Sequence, residues 1–290
     1  MKKIILSAAV FTILATVTFA SPISIKDLYL GWFEPSDLNA WTTPWMLPIL
    51  YKEAANTTVL NVYYRNENND LNVIGAYGFY HFIGGDYMRA TINASYTTFT
   101  MNRYTVGIAV PNAGFDIRYT NVDDGSQSYY SEIGFDVEFI YNWAFWPFSL
   151  WYTNTPESNI FSYVKIFNFV RYVKPAYPLN SNWESIYALD YLFRTVWILP
   201  QFALIYDQYT GMDEISYNYE TYNALEMLVK INDNLILRGG VNFQNVSSAA
   251  MPSVNIGTNL NFNNFTINAD YQQILAEPTG TFAVSAGMNF

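Results

Sequence analysis

The feature that most constrains the fold of this chain is a strict alternation of apolar and polar residues near its C-terminus. It runs through three successive segments, 253–262, 265–272 and 281–290. In the last segment the apolar positions are Phe282, Val284, Ala286, Met288 and Phe290. Because neighbouring residues of a β-strand point to opposite faces, each segment predicts a strand with one apolar and one polar face.

Composition indicates what the apolar face contacts. Hydrophobic residues make up 51 % of the chain and charged residues only 13 %, whereas soluble domains carry about 25 % charged residues. After residue 20 no stretch offers the roughly 18 consecutive apolar residues of a spanning helix, and the nearest, 191–206, is interrupted by Arg194, Pro200 and Gln201. In hydrocarbon every backbone amide must be bonded internally, which only helices and closed barrels achieve. The sequence therefore predicts an all-β fold, a transmembrane antiparallel β-barrel with its apolar face toward lipid.

Further strand-length segments bring the expected total to 14–16 strands. They lie at 23–33, 58–65, 71–81, 91–97, 103–110, 114–121, 132–141, 144–153, 160–172, 183–193, 196–206, 222–231 and 234–245. Turn-forming residues separate strands at 84–86, 111–114, 123–125, 232–234 and 263–264. Two longer interruptions are 34–56 and 207–220, and the second, acidic and rich in Tyr, is the candidate for a loop that constricts or gates the barrel.

The first twenty residues have the order of parts of a secretory signal peptide. Lys2 and Lys3 precede an apolar stretch, and Thr18 and Ala20 supply small residues at the −3 and −1 positions of a cleavage site. We therefore expect residues 1–20 to be a cleaved signal peptide and residues 21–290 to form one barrel domain; an uncleaved signal anchor is the alternative. The chain has no Cys, which excludes disulfides, Cys metal sites and a lipidated N-terminal Cys.

Charge argues against nucleic acid as a partner. The formal net charge is −10, and losing Lys2 and Lys3 with the signal peptide, which contains no acidic residue, changes it to −12. Binding to nucleic acid depends on Lys and Arg side chains that neutralise phosphates.

The C-terminal strand resembles the terminal strand of bacterial outer-membrane β-barrel proteins. Those proteins end in Phe, with hydrophobic residues at alternate positions before it, and the barrel-assembly machinery reads that strand. Phe282, Val284, Ala286, Met288 and Phe290 fill the matching positions here. The resemblance implies a porin-like barrel in the cell outer membrane, with outer-membrane lipid and the barrel-assembly machinery as partners. A homotrimer is an expectation by analogy with porins alone.

Charged residues on the polar faces of the strands are the candidate pore lining. Glu132, Asp136 and Glu138 share one face of a strand, and such acidic stripes attract cations in channels. The alternative is salt bridging to the preceding strand, with Arg118 opposite Glu132 and the other two acids less compensated. The basic candidates on polar faces are Arg103, Arg118, Lys230 and Arg238.

Three functions remain open on the sequence. Barrels of about eight strands are filled by side chains, whereas roughly 16–18 strands leave an aqueous channel, so passive diffusion of small hydrophilic solutes with a modest cation preference is the first expectation. The second is a structural or anchoring barrel with a closed interior. The third, a membrane-embedded hydrolase, is disfavoured because His81, the only histidine, is followed by Phe82 and Ile83 and lacks the His-x-Ser pair of barrel enzymes that cleave lipids. No catalytic residue, metal or cofactor is expected.

Overall fold

The computed structural model describes residues 21, 23, 58–67, 71–94, 97–110, 112–141, 159–175, 184–186, 190–212, 219–246, 249–275 and 280–290. The predicted signal peptide, the segment 34–56, the predicted strand at 144–153 and all but Ile23 of the predicted strand at 23–33 lie outside these residues. No helix in the described residues is long and apolar enough to cross a membrane.

Fifteen strand segments follow one another along the described chain. They are β1 Val59–Glu67, β2 Leu71–Tyr80, β3 Ile83–Ala94, β4 Thr97–Val110, β5 Ala113–Asp123, β6 Ser128–Tyr141, β7 Asn159–Pro175, β8 Glu184–Ile186, β9 Asp190–Ile198, β10 Phe202–Met212, β11 Tyr219–Asn232, β12 Leu235–Val246, β13 Ala249–Phe262, β14 Phe265–Ile274 and β15 Gly280–Asn289.

These segments close into a barrel of 14 antiparallel strands. Each strand pairs with the next along the chain, and β1 pairs with β15, which closes the sheet. Strand β7 pairs with β9 over Asn159–Phe167 and with β8 over Arg171–Val173, so β8 and β9 are two parts of one barrel strand. The predicted all-β antiparallel barrel of 14–16 strands is therefore confirmed.

The two faces of the wall differ as the alternation predicts. In β1 the side chains of Leu60 and Val62 are exposed on the outside, whereas those of Asn61, Tyr63 and Arg65 are buried inside. The same outward apolar band continues over β4, β5, β12 and β13. A soluble protein rarely exposes so large an apolar surface. A transmembrane barrel presents it to lipid.

Both ends of the described barrel chain meet at one rim, called the terminal end below. The amide of Thr58 donates to the carbonyl of Phe290 at 3.1 Å, and the amide of Phe290 donates back at 2.8 Å. Tight connections at 81–82, 199–201, 233–234 and 263–264 lie at the same end. In outer-membrane barrels the short turns face the periplasm.

Two predicted interruptions are strand instead. Residues 84–86 lie inside β3, and the turn comes earlier at His81, whose φ of 54° is a left-handed conformation that His tolerates better than most residues. The predicted loop 207–220 is wrong at both ends, since β10 continues to Met212 and β11 begins at Tyr219. Acidic Asp207 continues the strand because it faces the interior opposite Arg194. Of the predicted loop 207–220, residues 213–218 lie outside the described residues.

The exposed turn between β5 and β6 matches the predicted connection at 123–125. Asp124 accepts hydrogen bonds from the hydroxyl and amide of Ser126 and from the amide of Gln127. These bonds favour the charged carboxylate, so the pKa of Asp124 is lowered from its usual range. Gly125 follows with a φ of 82°, a conformation that glycine adopts without steric cost.

Candidate functional site in the barrel interior

The largest group of interior charges among the described residues, called the β5–β7 cluster below, spans three neighbouring strands. Strand β5 supplies Asp116 and Arg118, β6 supplies the three predicted acids, and β7 supplies Lys165. The β5–β6 register places Asp116 directly opposite Asp136. All six side chains are nearly fully buried, and they are Asp116, Arg118, Glu132, Asp136, Glu138 and Lys165.

Arg118 bridges two of the predicted acids. Its Nη1 lies 3.0 Å from Oδ2 of Asp136, and its Nη2 lies 3.3 Å from Oε1 of Glu132. The register sets Arg118 opposite Gly134 rather than opposite Glu132. Its guanidinium therefore reaches carboxylates on both sides of the glycine.

Lys165 supplies the rest of the compensation. Its Nζ lies 2.8 Å from Oε1 of Glu138, 2.9 Å from Oδ2 of Asp116 and 3.6 Å from Oδ2 of Asp136. The expectation that Asp136 and Glu138 are less compensated is therefore wrong, because a strand that is not a hairpin partner in the sequence brings a cation to both. With four carboxylates and two cations, the cluster still has an acidic excess.

Arg103, a predicted basic residue, faces an interior carboxylate on β3. Its Nε lies 3.5 Å from Oδ1 of Asp86, which also accepts from the Thr105 hydroxyl at 3.1 Å. The Tyr63 hydroxyl donates to the other oxygen of Asp86 at 3.3 Å. Gly75 allows this, because a Cβ there would overlap the Tyr63 ring.

Arg194 and Asp207 form a bidentate pair across β9 and β10. They stand directly opposite in the register, with Nε 2.6 Å from Oδ1 and Nη2 2.7 Å from Oδ2. Such fork-to-carboxylate pairs combine two charge-assisted hydrogen bonds with a fixed geometry. Charge is balanced within this pair.

Arg238, another predicted basic residue, interacts with acids on both of its sides. Its Nε lies 3.9 Å from Oε1 of Glu226 on β11, and its Nη2 pairs with Oδ1 of Asp270 on β14. Asp270 is two strands away, with Gly257 of β13 standing between the two. The pair can cross β13 because Gly257 has no side chain, and a Cβ there would overlap Oδ1 of Asp270.

Lys230, the fourth predicted basic residue, is buried at the terminal end. Its Nζ donates to the hydroxyl of Ser21 at 3.0 Å and lies 3.7 Å from Oδ1 of Asp233. Its contacts are thus with the start of the predicted mature chain and with the turn after β11.

Taken together, the buried charges of the described interior are balanced. Seven acids and seven bases are no more than 6 % exposed: Asp86, Asp116, Glu132, Asp136, Glu138, Asp207 and Glu226, with Arg65, Arg103, Arg118, Lys165, Arg194, Lys230 and Arg238. Asp270 adds one partly buried acid. A charge preference that arises from these described residues must therefore come from local excess, above all in the β5–β7 cluster.

Apolar side chains also face inward near the terminal end. They are Val59, Phe79, Ile198, Ala203 and Ile236, all buried and all part of one contact cluster that includes Ile23. Apolar constrictions in channels can exclude water and so control conduction. The side chains of this apolar patch and of the paired charges are little exposed in the structure.

The residues predicted for assembly lie on the outward face of β15. Phe282, Met288 and Phe290 are exposed there, and Val284 and Ala286 share their face by alternation. Their part in assembly stays a prediction.

His81 lies in an exposed turn, its ring 4.0 Å from that of Tyr80 between centroids. Within the described ranges, no group of three or more His, Asp or Glu residues has the arrangement of a metal site.

Several interior charges were missed from the sequence. They are Arg65, Asp86, Lys165, Arg194, Asp207 and Glu226. Asp86 was assigned to a turn and Asp207 to a loop, so neither was given a face. The sequence did contain a signal for Asp207, namely the alternation of side chains along a strand. When β10 is continued past residue 206, Asp207 falls on the same face as Ile205 and Ala203.

Comparison with known proteins gives a likeness of fold. No protein-family model and no curated protein matches the sequence. Among solved structures, the outer membrane protein OpdK of Pseudomonas aeruginosa is similar over 81 % of this chain and 98 % of its own, with 5 % identity and a TM-score of 0.40. The outer membrane protein Omp33 of Acinetobacter baumannii matches 81 % of this chain and 97 % of its own, with 12 % identity and a TM-score of 0.45. A mutant Rh. blastica porin matches 81 % and 99 %, with 7 % identity and a TM-score of 0.38. Independently of these similarities, the strand pairing and the apolar outer face establish that the chain is a closed barrel of 14 antiparallel strands of the outer-membrane type.

Proposed function

We propose that this barrel is an outer-membrane channel for passive diffusion of small hydrophilic solutes. The observation that carries the proposal is the reversal of polarity across the wall, with apolar side chains outside and ionised or amide side chains inside. Strands with that reversal occur where a lumen must be compatible with water. No catalytic role is proposed for any residue.

Export and assembly belong to the same proposal. Residues 1–20 would be removed as a signal peptide, and residues 21–290 would be inserted into the outer membrane by the barrel-assembly machinery through the β15 face. Outer-membrane lipid is then the partner of the outward apolar band. A homotrimer stays an analogy with porins.

A second candidate is a structural or anchoring barrel with a closed interior. One observation favours it: seven acids and seven bases of the described interior are at most 6 % exposed, and most of them are held in ion pairs. Charges that line a wide hydrated lumen would keep more contact with water. A channel with this interior would have to be narrow or gated.

Conductance separates the two candidates. The purified, refolded chain is added to a planar lipid bilayer in KCl, and stepwise current increments are recorded. Discrete increments support the channel, and their size reports the effective width of the pathway. If the protein is properly folded and heat-modifiable and inserts into the bilayer but carries no current, the closed structural barrel is the better assignment.

Selectivity is tested in the β5–β7 cluster. Asp136→Asn with Glu138→Gln removes two of its four carboxylates and should move the reversal potential under a KCl gradient toward zero. The shift should be larger at low salt, because the Debye length is about 8 Å at physiological ionic strength and grows as salt falls. The matched control, Arg194→Gln with Asp207→Asn, also removes two buried charges but leaves net charge unchanged. An equal shift in both variants would contradict the assignment of a cation preference to this cluster.

A further inference from the structure

We propose that the terminal end carries a binding site for the chain's own mature amino terminus, in which the α-ammonium of Ser21 pairs with the carboxylate of Asp233. The inference rests on the proposed cleavage after Ala20 and is independent of whether the barrel conducts.

The contacts of Ser21 define the site. Its backbone nitrogen donates to Oδ1 of Asp233 at 2.9 Å, and its hydroxyl donates to the same oxygen. Asp233 belongs to the tight turn between β11 and β12. Two donors of one residue therefore converge on one carboxylate, more than 200 positions away in sequence.

Ile23 provides a second, independent attachment. Its amide donates to the carbonyl of Pro200 at 2.8 Å, in the turn between β9 and β10. Its side chain is only 5 % exposed and belongs to the same contact cluster as Ile198 and Ala203. The start of the predicted mature chain is thus held by two neighbouring turns of the terminal end, through polar and apolar contacts.

Cleavage after Ala20 would change the charge of the Ser21 nitrogen while leaving that nitrogen beside Asp233. Hydrolysis of the Ala20–Ser21 bond by one water leaves a carboxylate on Ala20 and an ammonium on Ser21. An amide with one donor thereby becomes a cation with three donors, 2.9 Å from a carboxylate oxygen. That separation is the one typical of charge-assisted N–H···O bonds. The bonds from Ser21 also favour the ionised form of Asp233 and lower its pKa.

Lys230 completes the site. Among the described residues it is the other charged group in contact with Ser21 and Asp233, with its Nζ 3.0 Å from the Ser21 hydroxyl and 3.7 Å from Oδ1 of Asp233. The Ser21 hydroxyl accepts a hydrogen bond from the Lys230 ammonium and donates one to the Asp233 carboxylate. It therefore links Lys230 to Asp233, the carboxylate that also accepts from the Ser21 nitrogen. A serine at the first mature position is suited to this double role, because its hydroxyl is both donor and acceptor.

Zero-length cross-linking tests the pairing directly. The mature protein, purified in detergent from outer membranes, is treated with a water-soluble carbodiimide, which joins an amine to a touching carboxylate with loss of water. Peptide mass spectrometry should find the Ser21 α-amine joined to Asp233, and the N-terminal peptide should begin at Ser21. In Asp233→Asn the cross-link should be lost. In the control Asp124→Asn, an exposed turn aspartate at the other end of the barrel, it should persist.

A titration of the Ser21 α-amine provides a second readout. The Asp233→Asn variant is suitable for it, because Asn favours turns as Asp does and should leave the fold intact. The α-amine, labelled by reductive ¹³C-methylation, is titrated by NMR in both variants. Its pKa should be lower in Asp233→Asn than in wild type by a few tenths of a unit, as for an exposed ion pair. A mature chain that begins elsewhere, or a folded protein with no Ser21 cross-link and the same α-amine pKa in both variants, would overturn the site. Conductance of the same preparation tests the channel separately.

Discussion

Lys165 is the position at which one substitution best reports the state of the barrel interior. The side chain is 1 % exposed, and its Nζ lies within 3.6 Å of oxygens from three carboxylates. Replacement by Met keeps most of the length and apolar surface of the side chain but removes the charge. The β5–β7 cluster would then hold four carboxylates against Arg118 alone.

The size of the effect depends on whether water reaches the cluster. Removing one partner of a buried, water-excluded ion pair costs about 3–5 kcal/mol, because the remaining charges stay desolvated and uncompensated. Removing one partner of a solvated pair costs about 0.2–1 kcal/mol. The burial of Lys165 and its contacts predicts the larger value for Lys165→Met.

The assay is urea unfolding in detergent, followed by tryptophan fluorescence and by the heat-modifiable band on unboiled gels. Lys165→Arg, which keeps the charge, should lose much less stability than Lys165→Met. Adding Glu138→Gln to Lys165→Met should recover part of the loss, since it removes one of the stranded carboxylates. The double-mutant cycle then gives the coupling energy of the pair.

A Lys165→Met barrel that unfolds within about 1 kcal/mol of wild type would refute the reasoning. That result would mean that water solvates the cluster, as it does in a wide open lumen. The stability measurement would then favour an open channel before any current is recorded.

Three further predictions concern other parts of the wall. Gly257→Ala should destabilise the barrel by displacing the Asp270 carboxylate, whereas Gly239→Ala, whose added Cβ would lie 3.7 Å from the nearest atom, should be tolerated; equal urea midpoints for the two would contradict this. Deleting Phe290 should lower the amount of barrel in the outer membrane, as measured by surface labelling, and wild-type levels would argue against a role in assembly. Because the pKa of Asp124 is lowered in the folded state, its contribution to the turn should persist at pH 4, where an ordinary Asp is about half protonated, and should be lost only as the pH falls further; early loss of amide protection in that turn would oppose this.

The fold and the two faces of the wall could be predicted because both follow from local pattern. Alternation places the side chains of Glu132, Asp136 and Glu138 on one face regardless of which strand lies beside β6. Apolar outward residues on every other position then leave the interior as the only place for these acids. Arg103 and Arg238, which the same reasoning placed on polar faces, are buried as well, and their part in lining a pore stays a prediction.

The ion-pair partners of the interior charges could not be predicted with the same success, because they depend on the register between neighbouring strands. The β5–β6 ladder shifts between Val122 and Asp123, and the β6–β7 ladder shifts between Phe135 and Val137. The first shift amounts to one residue and lies at the end of the β5–β6 ladder. The second amounts to two residues, which keeps each side chain of β7 on its face but changes which residue of β6 stands opposite. Strands β6 and β7 are also joined through 142–158 rather than by a tight turn, so no hairpin rule links Lys165 to Glu138.

The interior charges lie in ion-paired groups, and this arrangement limits the ion selectivity that a channel in this barrel can have. Arg194 and Asp207 neutralise each other, Arg103 faces Asp86, and Arg238 is held between two acids. Within the described part of the chain, the β5–β7 cluster is the one group in which carboxylates outnumber cations by two, and its members lie on one side of the barrel. An asymmetric, largely compensated field of this kind attracts cations weakly and loses its effect as salt rises. Strong ion selectivity is therefore not expected from the described charges. The buried apolar cluster that includes Ile198 and Ile236 would discriminate between solutes by hydration rather than by charge sign.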